Sequence, residues 1–314
     1  MNTIDEDSKE QTTNELIKTL GITWNPKTDN FMFLPFKFKL SDSNITKRHV
    51  VSEVARIYDP LGFLAPMVVK MKIFLQRLWI QHKEWDEKLN ENEVNQWHKI
   101  TNKFTSAQSI IIPRCIQPNR SIRIEVHGFA DASELAYGAC VYLRCIDEYN
   151  NVTCNLICSK SRVAPLKHLT IPRLELCAAV ILSQLVERIS TIIETKIDKT
   201  YFWTDSSIVL CWIKTPSYQL KSFVASRVSK IQESKHNWYH VDTKQNPADM
   251  VSRGITPQSI KDSNLWWHGI FNKKYSMASS KLVKCDFTRN KAAKIILCFT
   301  RYRICIYRKV QFNL

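Results

Sequence analysis

The spacing of apolar positions along the chain changes twice. Near the N-terminus, two short apolar stretches flank residues 25–30, which are rich in the turn formers Asn, Pro and Asp. This pattern is typical of a β-hairpin. From residue 46 the apolar positions recur every three or four residues, and after residue 110 they alternate with polar ones. The sequence therefore predicts a hairpin, then a helical region, then a region built on strands.

The helical region is predicted to contain three helices. Thr46 is expected to cap the first helix, in which Val50, Val51 and Val54 recur at helical spacing. The Asp-Pro-Leu-Gly segment at 59–62 should end it. The second helix is predicted to run from Pro66 to about Trp85, and the third from Glu91 to Phe104. Together they predict a small, separate helical bundle.

The later region is predicted to fold as a mixed α/β sheet domain. Ile122, Ile124 and Val126 alternate with polar residues, as on a half-buried strand. Three hairpin-linked strands, a long helix, a fourth strand, two helices, a fifth strand and a final helix follow in an order typical of such a domain. The predicted strands span about 122–126, 138–144, 154–159, 200–204 and 238–241, and the helices span about 172–193 and 223–233, with a short one after Asp205 and a last one from Pro247.

The net charge of the chain indicates which kind of binding partner to expect. The chain carries 45 Lys and Arg against 29 Asp and Glu, a formal net charge of +16. Such an excess favours a polyanionic partner, most commonly nucleic acid, although a basic soluble protein without one would have the same composition. The ten cysteines include no CxxC pair and no finger-like Cys/His cluster. A structural zinc site is therefore not expected.

The two ends of the chain are not expected to carry a fold of their own. Residues 1–15 are polar and acidic, which excludes a signal peptide and predicts disorder. Residues 271–314 are expected to form a basic tail, with nine Lys or Arg and one acid from Lys281 onward. No apolar run approaches the roughly 20 residues that cross a bilayer. We therefore expect a soluble intracellular protein with no membrane partner.

Four acidic residues fall at the ends of predicted elements. Asp131 ends the first strand of the sheet region and Asp205 ends the fourth, while Asp249 begins the last helix and Glu175 lies on the apolar face of the long helix. Such ends meet at one edge of a sheet. Clustered carboxylates repel one another unless a cation lies among them, and oxygen ligands select Mg²⁺ or Mn²⁺. Two such ions about 4 Å apart can promote phosphodiester hydrolysis.

Each acid also has a simpler interpretation when it is taken alone. A single Asp at these positions is more often a helix cap or a turn former. Glu175 could merely pair with Arg173 or Arg188. The case for a metal site depends on the set of four and on its order along the elements.

Three polar residues near these acids are candidates for substrate contact. Ser133 and Ser206 follow Asp131 and Asp205 and could bond the substrate backbone, or they could form turns. Asn246 could cap the last helix or contact substrate, and the sequence does not separate these roles.

The order of the four acids resembles that of ribonuclease H, and local segments narrow the resemblance. FADAS at 129–133, TIPRLELCAA at 170–179, WTDSSIVLCWI at 203–213 and NPADMVSRG at 246–254 resemble the ribonuclease H region of BEL/Pao-type LTR retrotransposon polyproteins. LGITW resembles the end of a reverse transcriptase palm, and residues 53–79 resemble the thumb and connecting region of the same elements. The resemblance covers roughly residues 16–270.

This resemblance implies an organisation and an activity. It divides the chain into a palm-end hairpin at 16–45, a helical thumb or connection at 46–112, and a ribonuclease H-like domain with a mixed five-stranded sheet at 113–270. The implied activity is two-metal hydrolysis of the RNA strand of an RNA–DNA hybrid, recognised through its A-like shape and 2′-hydroxyls. The remaining polymerase and integrase parts of the polyprotein are further expected partners, and the cytoplasm or a retroelement particle is the expected location.

The resemblance also implies residue roles. The catalytic metal ligands would be Asp131, Glu175, Asp205 and Asp249, holding two Mg²⁺ or Mn²⁺ ions. Related enzymes use a mobile histidine near the last acid to help product leave, and His240 is the candidate here, although it could belong to the fifth strand.

Departures from a complete polyprotein limit the expected activity. The chain has no Asp-Asp dipeptide for a polymerase palm and no zinc-binding region of an integrase. The region has also been described as a Pao retrotransposon peptidase, but the Asp-Thr/Ser-Gly loop of aspartic peptidases does not occur. A catalytically inactive nucleic-acid-binding remnant is the main alternative, and a peptidase is the lesser one.

Overall fold

The computed structural model describes residues 17–19, 22–33, 36, 38, 44–105, 110–118 and 120–270. The predicted disordered N-terminus at 1–15 and basic tail at 271–314 lie outside these residues. Among the helices that the structure describes, none combines the length and apolar character needed to cross a membrane.

A small antiparallel sheet opens the described chain. The predicted hairpin is confirmed, since the second and third strands of this sheet pair on either side of the turn at 26–29. Two strands were not predicted: the first, and the fourth, which returns after the helices to pair with the third. The four strands, in spatial order, are β1 (Ile17–Thr19), β2 (Ile22–Asn25), β3 (Asn30–Phe33) and β4 (Ile110–Pro113).

Three helices lie between β3 and β4, as predicted: α1 (Lys47–Ala55), α2 (Ala65–Ile80) and α3 (Glu91–Thr105). Thr46 caps α1 by accepting a hydrogen bond from the His49 backbone N–H. The second helix ends at Ile80, earlier than the predicted Trp85. His82 adopts a left-handed backbone conformation, with a φ of 55°, which an α-helix does not accommodate.

A mixed five-stranded sheet follows, as predicted. Its strands are β5 (Ser121–Ala132), β6 (Ala136–Asp147), β7 (Val152–Val163), β8 (Lys199–Thr204) and β9 (Asn237–His240). The spatial order is β7-β6-β5-β8-β9. The three hairpin-linked strands are antiparallel, whereas β8 and β9 run parallel to β5. The carboxyl ends of β5, β8 and β9 therefore meet at one edge of the sheet.

Helices cover this sheet. The long predicted helix is confirmed, and it packs closely on β5 because Gly128 has no side chain to meet Leu182. The final predicted helix has only five residues, because Gly254 then turns the chain with a φ of 73°, and two further short helices follow. The helices are α4 (Ile171–Ile192), α5 (Ser207–Lys214), α6 (Ser222–Gln232), α7 (Asp249–Arg253), α8 (Pro257–Lys261) and α9 (Asn264–His268).

The helical segment is docked on the five-stranded sheet, in contrast to the separate bundle that the sequence suggested. One hydrophobic core contains buried side chains from α2, α3, all five strands of the larger sheet and α4. Backbone contacts join the two parts: Ser159 donates its N–H to the Leu61 carbonyl at 2.8 Å. The Trp266 indole donates to the Phe63 carbonyl at 3.1 Å. Local periodicity could not predict this docking, because it joins residues about 100 or more positions apart.

We expect Gly62→Ala to destabilise this junction. Gly62 has a φ of 73°, and a β-carbon there would overlap the carbonyl group of Ser159 on β7. Gly269→Ala is a matched control, because Gly269 has a φ of 61° but only ordinary contact, 3.5 Å, with Tyr142. Both variants carry backbone strain, and the clash should cost Gly62→Ala about 1–3 kcal/mol more. Urea unfolding monitored by tryptophan fluorescence would measure this, and equal losses would contradict the close approach.

Candidate active site

Two of the predicted acids leave neighbouring strands at the same edge. Asp131 lies one residue before the end of β5, and Asp205 directly follows β8. The two strands are parallel neighbours, with Ala130 opposite Thr204. Asp131 is nearly fully buried, with 3% of its surface exposed. The strand register therefore brings the two carboxylates together, as the sequence predicted.

Asp249 reaches this edge from the first residue of α7. The helix lies tightly on the sheet because Gly138 of β6 has no side chain, and a β-carbon there would be 2.6 Å from Val251 Cγ1. One turn later, the buried Ser252 hydroxyl donates a hydrogen bond to Asp131 Oδ2. α7 thus contributes a carboxylate and a hydroxyl to the same cluster.

Glu175 enters the cluster from the start of α4, where it is half-buried. The Ser206 hydroxyl donates to Glu175 Oε2 at 2.6 Å, and Ser206 Oγ in turn accepts a hydrogen bond from the Val209 N–H to cap α5. Ser206 therefore connects Glu175 on α4 to the turn that follows Asp205.

The acids influence one another electrostatically. Burial raises the pKa of Asp131 to about 7, and the carboxylates of Asp205 and Asp249 act in the same direction, against the hydrogen bond from Ser252. Burial also raises the pKa of Glu175, with Asp205 contributing in the same sense. Burial and neighbouring carboxylates both disfavour the ionised forms of these acids, and a bound cation would offset both effects.

The donor chemistry fits a hard divalent cation, because all four groups offer carboxylate oxygens. The side chains are not, however, arranged around a common centre. Within the described ranges, no three His, Cys, Asp or Glu side chains are grouped closely enough to hold a metal ion. Asp249 instead forms an ion pair with Arg253. Metal binding at this edge would therefore require local rotation of carboxylate side chains.

The other predicted site residues also lie at this edge, where they contact protein groups. His240, the last residue of β9, places Nε2 3.2 Å from the Asp205 carbonyl oxygen. The Ser133 hydroxyl donates to the Ser252 carbonyl at 2.8 Å. Asn246 is buried and donates from Nδ2 to the Ala130 carbonyl at 3.2 Å.

Two residues near the acids were missed by sequence reasoning, Ser252 and Arg253. They lie three and four positions after Asp249, so both project near it on a helix. The Ser-Arg pair within NPADMVSRG was the available signal. It does not reveal the contact of Ser252 with Asp131, which lies 121 positions away in sequence.

We expect Asn246→Ala to weaken the site through Asp205. Asn246 Nδ2 lies 3.4 Å from Asp205 Oδ1, and Asn246 Oδ1 accepts the Ala248 N–H at 3.1 Å. Removing the amide takes away the side-chain partner of the buried Ala248 N–H and of the half-buried Asp205, at a cost of about 1–3 kcal/mol. Cleavage of an RNA–DNA hybrid should fall as well, because the Asp205 carboxylate loses its orientation. Urea unfolding and a cleavage assay would measure the two effects.

Asn155→Ala provides the control for this variant. Asn155 is half-buried and donates to the Ile116 carbonyl at 3.4 Å, on β7 and away from the acids. It should alter stability without altering cleavage by the folded protein. Parent-level cleavage by Asn246→Ala would show that Asn246 does not orient Asp205.

The fold defines the class of this protein. A mixed sheet in the order β7-β6-β5-β8-β9, flanked by helices, with acids at the ends of β5 and β8, is a ribonuclease H-like domain. A family model described as "Pao retrotransposon-like RNaseH-like domain" matches residues 46–206, just over half of the chain. The chain belongs to this family. The match includes the helical segment and the first three acids, and it ends before Asp249.

Several solved structures are similar to the chain. The foamy viral protease-reverse transcriptase in complex with an RNA/DNA hybrid matches 73% of this chain and 29% of its own at 14% identity, with a TM-score of 0.44. LC11-RNase H1 in complex with an RNA/DNA hybrid matches 41% of this chain and 93% of its own at 14% identity, with a TM-score of 0.29. RNase H1 from the halophilic archaeon Halobacterium salinarum matches 45% of this chain over 99% of its own length, at 12% identity and with a TM-score of 0.27.

This chain therefore spans less than a third of the length of the foamy viral protein. No curated protein matches it.

Proposed function

We propose that this domain hydrolyses the RNA strand of RNA–DNA hybrids with the help of two Mg²⁺ or Mn²⁺ ions. The observation that carries the proposal is the meeting of four carboxylates from β5, α4, β8 and α7 at one edge of a ribonuclease H-like sheet. Structural caps would not need to converge there. Burial and the carboxylates of Asp205 and Asp249 raise the pKa of Asp131, and bound metal ions would offset both effects.

The roles of the acids follow from their positions. Asp131 and Asp205, on adjacent strands, would contact both ions, and Glu175 and Asp249 would complete the ligand set from the flanking helices. The ions would supply an activated water and stabilise the leaving oxygen. Ser252, Ser206 and Asn246 hold three of the acids through hydrogen bonds, so we assign them to positioning.

The structure gives protein partners to Ser133, Ser206 and Asn246, the residues predicted to contact the substrate. Ser206 and Asn246 are buried, and all three already bond to protein groups. Any substrate contact they make would be added to a structural role. For His240 the proposed role in product release is retained, because its ring lies beside the Asp205 carbonyl and is only partly buried.

Nucleic acid is the proposed partner, on grounds of charge as well as of the site. The net charge of +16 favours a polyanion. Near the start of α4, Arg173 and Arg227 both lie over the Phe223 ring, at 5.3 Å and 3.6 Å from its centroid. These cations lie on α4 and α6, and they would attract a phosphate backbone to this side of the domain. The other polyprotein parts are proposed as further partners.

A labelled RNA–DNA hybrid tests the proposal directly. We expect cleavage of the RNA strand in Mg²⁺ or Mn²⁺, none in EDTA, and none of an otherwise identical DNA duplex. Hybrid binding without cleavage in either metal would contradict the nuclease and support the inactive nucleic-acid-binding alternative. Cleavage of casein under the same conditions would support the peptidase alternative.

A further inference from the structure

Each of the four acids is held by a donor from the protein itself, and the donors differ in charge. Three donors are neutral, whereas the fourth is a guanidinium. The pairs are Ser252 with Asp131, Ser206 with Glu175, Asn246 with Asp205, and Arg253 with Asp249. The cluster therefore includes a protein cation, paired with an acid that the proposed function assigns to metal binding.

Arg253 is placed to act on more than one of the acids. Its Nε donates to Asp249 Oδ1 in an ion pair one turn apart on α7. Its charge also interacts with the carboxylates of Asp131 and Asp205. The side chain is 61% exposed, so it can rotate into solvent without unfolding any part of the core.

The backbone that carries Arg253 has no comparable freedom. Gly254 turns the chain with a φ of 73°, and a β-carbon there would lie 2.7 Å from Lys70 Cγ. The next residue, Ile255, donates its N–H to the Pro66 carbonyl of α2 at 3.0 Å. The end of α7 is thus fixed against α2, and movement of Arg253 is confined to its side chain.

We propose that Arg253 is the internal counter-ion of this cluster: it holds Asp249 in the metal-free protein and releases it when a divalent cation binds. This inference rests on the proposed function. Asp249 cannot pair fully with both cations, and the guanidinium repels any metal bound among the acids. Arg253 is therefore a positioning residue that lowers the affinity for metal.

Arg253→Gln tests the inference without substrate. Titration calorimetry of the full chain with Mg²⁺, and separately with Mn²⁺, should show a Kd roughly 3- to 10-fold lower than that of the parent, because a repelling charge has been removed. Arg253→Lys keeps the charge and should bind metal within about 2-fold of the parent. Circular dichroism would verify that both variants are folded.

Arg48→Gln is the matched control. Arg48 is 63% exposed and pairs with Asp86 on the helical segment, so this variant removes the same charge at similar exposure. Its Kd should equal that of the parent. An unchanged or higher Kd for Arg253→Gln, or an equal decrease for Arg48→Gln, would overturn the inference.

The proposed function can fail independently. A parent protein that binds Mg²⁺ but leaves hybrids intact would contradict the nuclease, while the comparison of Kd values would still decide the role of Arg253. A parent protein that binds neither metal would overturn the counter-ion inference along with the proposed metal site.

Discussion

Asp205→Asn should abolish hybrid cleavage while leaving the metal-free protein at least as stable as the parent. The substitution removes a proposed ligand of both ions, so the rate in Mg²⁺ should fall by more than about 100-fold. Asparagine has the same shape, and its amide oxygen can still accept the hydrogen bond from Asn246. It also removes a charge that acts on both Asp131 and Glu175. Cleavage in Mg²⁺ and thermal melting in EDTA would measure the two effects.

The opposite signs of these effects distinguish a catalytic aspartate from a structural one. Asp198→Asn is the matched control: Asp198 Oδ2 accepts the Ile124 N–H at 2.8 Å at the far end of β8. An amide oxygen can accept this bond too, so the control should retain both stability and cleavage. Near-parent cleavage by Asp205→Asn would remove Asp205 from the active site, and with it most of the case for a two-metal nuclease.

The sequence predicted the larger sheet because its signals are local. Ile124 and Val126 are buried on β5, as their alternation indicated, and the change to helical spacing marks α4. The pattern does not hold along the whole strand, since Ile122 is exposed while Glu125 and His127 are buried. Once strand order is known, parallel pairing of β5 and β8 places Asp131 beside Asp205. The position of the central acids could therefore be predicted from element order alone.

Contacts between distant segments were not predictable in this way. Pairing of β4 with β3 joins residues about 80 positions apart, and the sequence of neither strand indicates which strand it pairs with. The docking of Gly62 against Ser159 depends on a missing side chain and on one backbone angle. Hydrophobic periodicity shows which face is buried, not what covers it. For this reason the helical segment looked separate in the sequence.

Within the site, too, contacts between distant segments were not predicted. Periodicity placed Glu175 on the apolar face of its helix, and the structure leaves it half-buried against Ser206. Asn246 was expected to be a cap or a substrate contact. It accepts the Ala248 N–H directly before α7, and it also links Asp205 to the end of β5. Except for Ala248, these partners lie 31 or more positions apart in sequence, so only the packed fold reveals them.

The Asp131 carboxyl should make the metal-free protein less stable as the pH rises from about 4 to 7, and Mg²⁺ should offset this loss. The pKa of Asp131 is raised to about 7 in the fold from an ordinary value of 3.8. Between these values the unfolded chain is ionised while the folded carboxyl stays protonated, so rising pH favours unfolding. The free energy of unfolding should fall by about 3 kcal/mol between pH 5 and pH 8 from this group. Urea unfolding in EDTA at pH 5 and pH 8 would measure it.

Asp59 provides a contrast in the same pH range. Burial raises its pKa to about 6, against backbone N–H groups of Phe63 and Leu64 that bond to its carboxylate. It lies in the loop before α2, away from the acids, so its contribution should not respond to metal. Asp131→Asn should remove the part of the pH dependence that Mg²⁺ reverses, and Asp59→Asn the part that Mg²⁺ leaves unchanged.

Metal binding competes with protons for Asp131, so Mg²⁺ should stabilise the parent more at pH 8 than at pH 5. The difference between the two pH values should disappear in Asp131→Asn and persist in Asp59→Asn. Equal stabilisation at both pH values would mean that the ion does not bind through Asp131. Since the pKa of Asp131 is raised mainly by burial, such a result would leave it as a buried acid whose charge the fold tolerates without a metal.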